Sequence, residues 1–272
     1  ARITLDEARM RKIVWAIVLL GLAFLVIFGV GFYFMYRDVS RFNQGVARVL
    51  EPVNFFVLAG LYGVNFLVVV LALLMSVDTI AGEVASGTIQ TLVTKPLRRW
   101  EVVVGKWLGL GLLLAAFTVV LSGSLTGLVA IMSGYIPANL PQAVGLMVLE
   151  GLVVLSLSLL GGTRLPALAN GVVIFMFYGP AFIAGWIEQI GSYLQNEAAV
   201  NIGIIVSLFL PIETMWKRAA YILQPPFLRE LGFDASPFGA ASAPSPLMVW
   251  YAAGYIVLVM LLAIRSFNRR DL

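Results

Sequence analysis

Asp78-Thr79-Ile80-Ala81-Gly82-Glu83-Val84-Ala85-Ser86-Gly87-Thr88-Ile89-Gln90-Thr91-Leu92-Val93-Thr94-Lys95-Pro96-Leu97-Arg98-Arg99-Trp100-Glu101-Val102-Val103-Val104-Gly105-Lys106-Trp107 is the longest polar interval in the first half of the chain, and uncharged apolar segments flank it. Asp78, Glu83, Lys95, Arg98, Arg99, Glu101 and Lys106 cannot all lie in hydrocarbon, where each charge costs several kcal/mol. The stretch therefore emerges into water or lies among lipid headgroups. A tight connection between two spans needs only a few residues. This one is far longer, carries helical spacing and is broken by Gly82 and Pro96, so it reads as a contact surface.

Composition fits segments of this kind. Of 272 residues, 61% are hydrophobic and 12% are charged, against roughly 25% charged in a soluble domain. Mean hydropathy is +0.97. The expected class is an all-α polytopic membrane protein in a single domain over residues 1–272. The chain has no Cys and no His, which excludes disulfides, His-Glu-x-x-His zinc sites and serine–histidine hydrolase chemistry. No metal or other cofactor is expected in this chain. The net charge of +4 is no nucleic-acid signal, because the basic residues stand beside apolar spans, where sidedness accounts for them.

Six spans are expected, at about 13–35, 53–77, 103–132, 141–162, 166–187 and 247–264. Before the first, Thr4-Leu5-Asp6-Glu7 fits a capping box and leads into Arg9, Arg11 and Lys12. This reads as a short amphipathic helix at a membrane surface, the plainer alternative being a frayed terminus with a basic flank. The first span is too long for a signal-peptide core and reads as a permanent anchor. Tyr36 to Asn54 reads as a surface loop with some helix. Gly105-x-x-x-Gly109 and Gly123-x-x-x-Gly127 in the third span allow close helix approach. Gly179-Pro180 should kink the fifth.

Ala198 to Leu210 is apolar but too short to cross, so it reads as re-entrant or interfacial. Pro211 breaks it, and Ile212 to Leu223, with Trp216, Lys217 and Arg218, reads as an amphipathic helix. Six crossings put both termini on one side together with the central stretch and Arg164. That side then holds 12 of the 18 basic residues, which predicts that it is cytoplasmic.

Asn65, Glu150 and Asn170 are the polar candidates inside the spans. An amide can bond a neighbouring helix or line a path. An intramembrane carboxylate is a functional candidate by default, the alternative being a Glu that bonds a neighbour. No Gly-x-x-x-x-Gly-Lys-Ser/Thr loop occurs: Trp107 follows Gly105-Lys106, and Trp100 stands where the first glycine should be. The chain should therefore not hydrolyse nucleotide itself. No inverted repeat is evident, against a secondary transporter. An intramembrane enzyme built on Glu150 lacks a second catalytic group. What remains is a membrane protein with an elaborate contact loop and no engine, to be completed by a partner that supplies force.

The pattern Glu83-x-x-x-Gly87-Thr88-x-x-x-Leu92-x-x-x-Pro96-x-x-Arg99-x-x-Val102-x-x-Gly105-Lys106 resembles the cytoplasmic loop of ABC type-2 permeases, the membrane subunits of ABC exporters. It is most similar to the multicopper-enzyme-maturation permease branch. The resemblance implies that Glu83 to Val93 is a coupling helix docking into an ATPase subunit, with Lys95, Pro96 and Arg99 leading into span three. It implies that Ala198 to Leu223 seals the outer end of the pathway. It further implies a second permease copy in a homodimer or heterodimer, ATP and Mg in the partner subunit, and a place in the plasma (inner) membrane. Leu97-Arg98 departs from the small polar residue often found there, which bears on the local helix cap. The alternative function is a non-transporting structural or assembly subunit that retains the permease fold.

Overall fold

The computed structural model describes residues 12–41, 46–85, 98–225, 238 and 244–269. Among them every regular element is an α-helix. In chain order these are α1 (Lys12–Arg41), α2 (Val46–Ala85), α3 (Arg99–Ser133), α4 (Leu140–Gly162), α5 (Ala167–Tyr193), α6 (Glu197–Phe209), α7 (Glu213–Leu223) and α8 (Leu247–Asn268). Six of them, α1 to α5 and α8, are long and apolar enough to cross a membrane. The expected amphipathic helix before α1 lies outside the described residues.

Neither α6 nor α7 is by itself long enough to cross. They meet at a bend of 114°, with Pro211 between them. At 1.5 Å per residue α6 is only roughly 20 Å long, short of the hydrocarbon thickness of about 30 Å. The pair forms a bent hairpin, a geometry shared by a re-entrant loop and a broken span.

Several boundaries differ from the sequence reading: α2 continues as helix through Gly82, where a break was expected, to Ala85, past the expected end at Val77, and α3 already begins at Arg99. The loop expected over Tyr36 to Asn54 is mostly helix: α1 continues to Arg41 and α2 begins at Val46. Backbone that leaves hydrocarbon can stay helical in water, so the charges at Arg37, Asp38 and Arg41 mark the surface without ending the helix. The fifth span likewise runs on to Tyr193, past the expected end at Ile187. Its last turns carry Glu188 and Gln189 into contact with the hairpin. Pro180 sits inside α5, which continues through it.

α4 is the hub, packing against α2, α3, α5, α7 and α8. In the apolar windows of α2 and α4, 61% of residues are buried, against 17% in α1. α1 is thus a peripheral helix with most of its apolar surface turned to lipid. It is held by aromatic rings. Phe24, Phe28, Phe32 and Tyr36 stack in a row with ring centroids 6.3, 6.0 and 6.1 Å apart. A side chain recurs on one helix face every four residues, so the row forms one ridge. That ridge fits an antiparallel groove in α2. A Cβ on Gly63 would stand 2.6 Å from the Phe24 ring, and one on Gly60 2.4 Å from the Phe28 ring. Phe32 then meets Phe56 edge to face.

Close approach in α3 occurs elsewhere than the two expected motifs suggest. A Cβ on Gly123 or Gly127 meets nothing within 4 Å, so these two make no close helix contact among the described residues. The tight points are Gly111, beside Leu152, and Gly151, beside Leu114, with added Cβ atoms 2.9 and 2.8 Å from those side chains. Spacing alone cannot say which face of a helix meets a neighbour.

The helix ends are closed locally. At the start of α3, Glu101 accepts from the Arg98 amide at 3.0 Å, so a carboxylate three residues on supplies the cap that Arg98 itself does not. α3 ends on Gly134 at φ 69°, whose amide donates to the Ala130 carbonyl at 2.9 Å. A left-handed φ favours glycine here. Buried hydroxyls turn back on their own helices: Thr118, Thr126 and Ser156 donate to Leu114, Ser122 and Leu152 carbonyls. This satisfies each hydroxyl where no water is at hand.

Candidate functional site

The two ends of the bundle are built differently. At one end the chain connections are tied together. Arg99 Nη1 donates to the Asn268 carbonyl at 3.4 Å, and Thr163 Oγ1 and Arg164 Nε donate to Ser266 Oγ at 2.8 and 3.0 Å. Lys106, buried, donates from Nζ to the Thr79 carbonyl at 2.8 Å. The entry to α3, the α4–α5 turn, the end of α2 and the end of α8 therefore share one face, where the central polar stretch leaves the bundle. Of the residues expected to couple to a partner, Arg99 opens α3. Glu83 lies in the last turn of α2, and its side chain is outside the described residues. Gly87, Thr88, Leu92, Lys95 and Pro96 are also outside them.

Toward the other end, α2, α4, α5 and α7 bring polar side chains together. Asn65 and Glu150 meet: Asn65 Nδ2 donates to Glu150 Oε1 at 3.0 Å, and both are buried. Tyr62, one turn from Asn65, receives a hydrogen bond from Trp186 Nε1 at 3.1 Å and donates to Glu213 Oε1 at 3.3 Å. Lys217, one turn beyond Glu213, pairs with Glu188 at 2.7 Å. Each contact crosses between helices, so the hairpin is fastened to α2 through Tyr62 and to α5 through Glu188. Among the described residues, Asn65 Oδ1, Glu150 Oε2 and Glu213 Oε2 are buried with no hydrogen-bond partner. Unpaired acceptors in low dielectric are costly, which marks the cluster as more than packing filler.

Glycines let the hairpin approach. A Cβ on Gly185 would lie 2.4 Å from Glu213 Cγ, and one on Gly203 2.4 Å from Glu188 Cβ. Between them runs a narrow cleft lined by Tyr62, Trp186, Gln189, Glu213, Trp216 and Lys217. Glu213 belongs to the hairpin, outside the six crossing helices. Burial pushes its carboxyl up to about 7, against the pull of the Lys217 ammonium and the Tyr62 hydroxyl.

Asn170 stands apart from this cluster. It is buried at the opposite end and donates from Nδ2 to the Ser158 carbonyl at 2.9 Å. That bond ties the start of α5 to α4 across their short turn. Tyr62, Trp186, Glu188 and Glu213 were not foreseen. The spacing of Tyr62 and Asn65 by three, and of Glu213 and Lys217 by four, was the available signal, since both spacings share a helix face. Among the described residues no group of three His, Cys, Asp or Glu side chains could hold a metal ion.

The whole chain, residues 1–272, matches the family described as ABC-2 family transporter protein. The chain belongs to the ABC-2 transporter family. Two relatives carry the name Probable ABC transporter permease protein NosY. The one from Pseudomonas aeruginosa is 45% identical over 60 residues, which is 22% of each chain. The one from Stutzerimonas stutzeri is 45% identical over 51 residues, 19% of this chain and 18% of that protein. Each match thus spans about a fifth of the relative. For an ABC-2 membrane component, the Tyr62–Glu213 and Lys217–Glu188 contacts join the α6–α7 hairpin to two spans at one end, while the tied connections lie at the other.

Proposed function

We propose that this chain is the permease subunit of an ATP-driven exporter in the plasma (inner) membrane, worked through the 78–107 connection by a separate ATPase subunit. In this reading both termini and that connection face the cytoplasm, as the distribution of basic residues favours. ATP and Mg are held by the partner, since this chain carries no nucleotide-binding motif. A second permease copy completes the pathway.

One observation carries the mechanism. The Arg99–Asn268 and Arg164–Ser266 hydrogen bonds gather the ends of three spans beside the central stretch. A push on that stretch is thereby shared by α3, α8 and the α4–α5 turn, and does not bend α3 alone. At the far end the hairpin, held by polar contacts at Tyr62 and Glu188, is the part that yields. Hydrogen-bonded contacts between two packed surfaces can exist made or broken, which suits a seal that opens in steps.

The alternative, a non-transporting assembly subunit, draws support from the tight glycine packing at Gly60, Gly63, Gly111 and Gly151. The two readings part on one experiment. The chain is purified with its partner ATPase, and ATP hydrolysis and the mobility of a spin label on the hairpin are followed together. Coupling requires that replacing 83–93 with a flexible linker abolishes ATP-dependent hairpin motion. A hairpin that never responds to nucleotide in the intact complex overturns the permease reading in favour of the alternative.

A further inference from the structure

Lys217 and Arg218 are adjacent on α7 but face different surroundings. Lys217 turns into the polar cluster and pairs with Glu188. Arg218 lines a separate groove of about 370 Å³ between α4, α7 and α8. Its Nη1 donates to the Pro244 carbonyl at 2.6 Å, which holds the guanidinium in place. Among the described residues it has no carboxylate partner.

The rest of the groove is amphiphilic in a definite order. Gln142 lies in the first turn of α4 and Val249 in the first turn of α8. Trp250 and Tyr251 follow on α8, and Trp250 is 77% exposed. Exposed aromatic residues at the start of a span mark headgroup depth. Below them Leu146, Leu149 and Ile222 form the walls. Leu149 is nine residues into α4, roughly 13 Å deeper at 1.5 Å per residue. Gly145 has no side chain to fill the space, and a Cβ placed there meets nothing within 4 Å.

We propose that this groove holds a glycerophospholipid of the adjoining leaflet, with its phosphate on Arg218 and one acyl chain along Leu146, Leu149 and Ile222. A guanidinium presents a planar fork matched to phosphate oxygens. A fixed cation without an acid partner among the described residues, beside the start of α8 and above an apolar channel, complements a phosphate joined to a hydrocarbon chain. The site is independent of how the transport cycle is driven.

The test uses the full-length protein in detergent, titrated with phosphatidylglycerol and, in parallel, with diacylglycerol of the same chains. Bound lipid is counted by native mass spectrometry. The wild type should retain phosphatidylglycerol about tenfold better than diacylglycerol, the scale of a charge-assisted hydrogen bond. Arg218→Gln should erase that preference. Gly145→Leu, which sets a side chain into the groove from a Cβ position with nothing within 4 Å, should lower retention of both lipids. Equal retention of the two lipids by the wild type overturns the proposal, as does an unchanged preference in Arg218→Gln. So does a Gly145→Leu variant that binds lipid normally but loses a dimer, because the groove then belongs to a second copy of this chain.

Discussion

Asn65 on α2 and Glu150 on α4 are joined by a hydrogen bond of 3.0 Å across 85 residues of sequence. The bond joins the two most buried of the six candidate spans, and it makes Glu150 part of the bundle's frame. Only the nitrogen of the amide is engaged here, as a donor. Asn65 Oδ1 and Glu150 Oε2 remain without partners, so the pair fixes a helix contact while leaving polar capacity unused.

Glu150→Gln keeps an acceptor for Asn65 and should leave the thermal midpoint within about a degree or two, in line with the ~0.6 kcal/mol average for such bonds in membranes. Glu150→Ala leaves the Asn65 amide buried without an acceptor and opens a cavity. It should cost about 1–3 kcal/mol. Thermal unfolding of the two variants in the same detergent checks the difference.

The Lys217–Glu188 pair is held at 2.7 Å, with side chains 9% and 19% exposed. Breaking one partner of a fully buried pair costs about 3–5 kcal/mol. The partial exposure of this one lowers the expectation to about 2 kcal/mol. Lys217→Met should therefore loosen the hairpin, and the double change with Glu188→Met should recover much of the loss. Protease susceptibility near Pro211 in the three proteins reads this directly.

Glu213 faces Tyr62 from α2, Lys217 from its own helix, Glu188 from α5 and Glu150 from α4. Its carboxyl is raised to about 7, so over that interval the docked state binds a proton that the released state has already lost. By linkage, docking weakens as pH rises from the usual carboxylate range through about 7. Trp186 and Trp216 line the same cleft, and their fluorescence should shift over this window. Glu213→Gln should flatten the change.

Gly60→Leu should be among the most damaging substitutions in the chain, because its side chain must enter the Phe28 ring. Overpacking of this kind costs about 1–3 kcal/mol or more. Gly123→Ala adds a Cβ that meets nothing within 4 Å among the described residues and should leave the isolated chain as stable as before. Comparing the two by unfolding separates glycines that seat a helix within this chain from those that do not.

The architecture was legible because lipid imposes a coarse rule. Long uncharged runs cross and charges do not, so six spans and a broken hairpin could be read from Ile13 to Ile264. Arg98 shows a local limit: it lacks a capping side chain, yet Glu101 three residues later supplies one. The polar cluster was half legible. Glu150 and Asn65 stand out as polar residues within apolar runs. Glu188 and Glu213 lie in a mixed interval where charge is ordinary, and only the fold shows that the hairpin buries them. Asn170 carried the same sequence signal as Asn65 and turned out to close a turn, since a sequence does not show which neighbour an amide will find.

The absence of cysteine gives direct access to the central claim, that a separate ATPase works this chain through the stretch between α2 and α3. A single Ser86→Cys substitution is placed in the protein in its native membrane and probed with a short thiol cross-linker. The account predicts a cross-linked product containing an ATP-hydrolysing subunit, and protection from an impermeant thiol reagent added outside. Labelling of Ser86→Cys by that outside reagent, with no cross-linked partner, would contradict it.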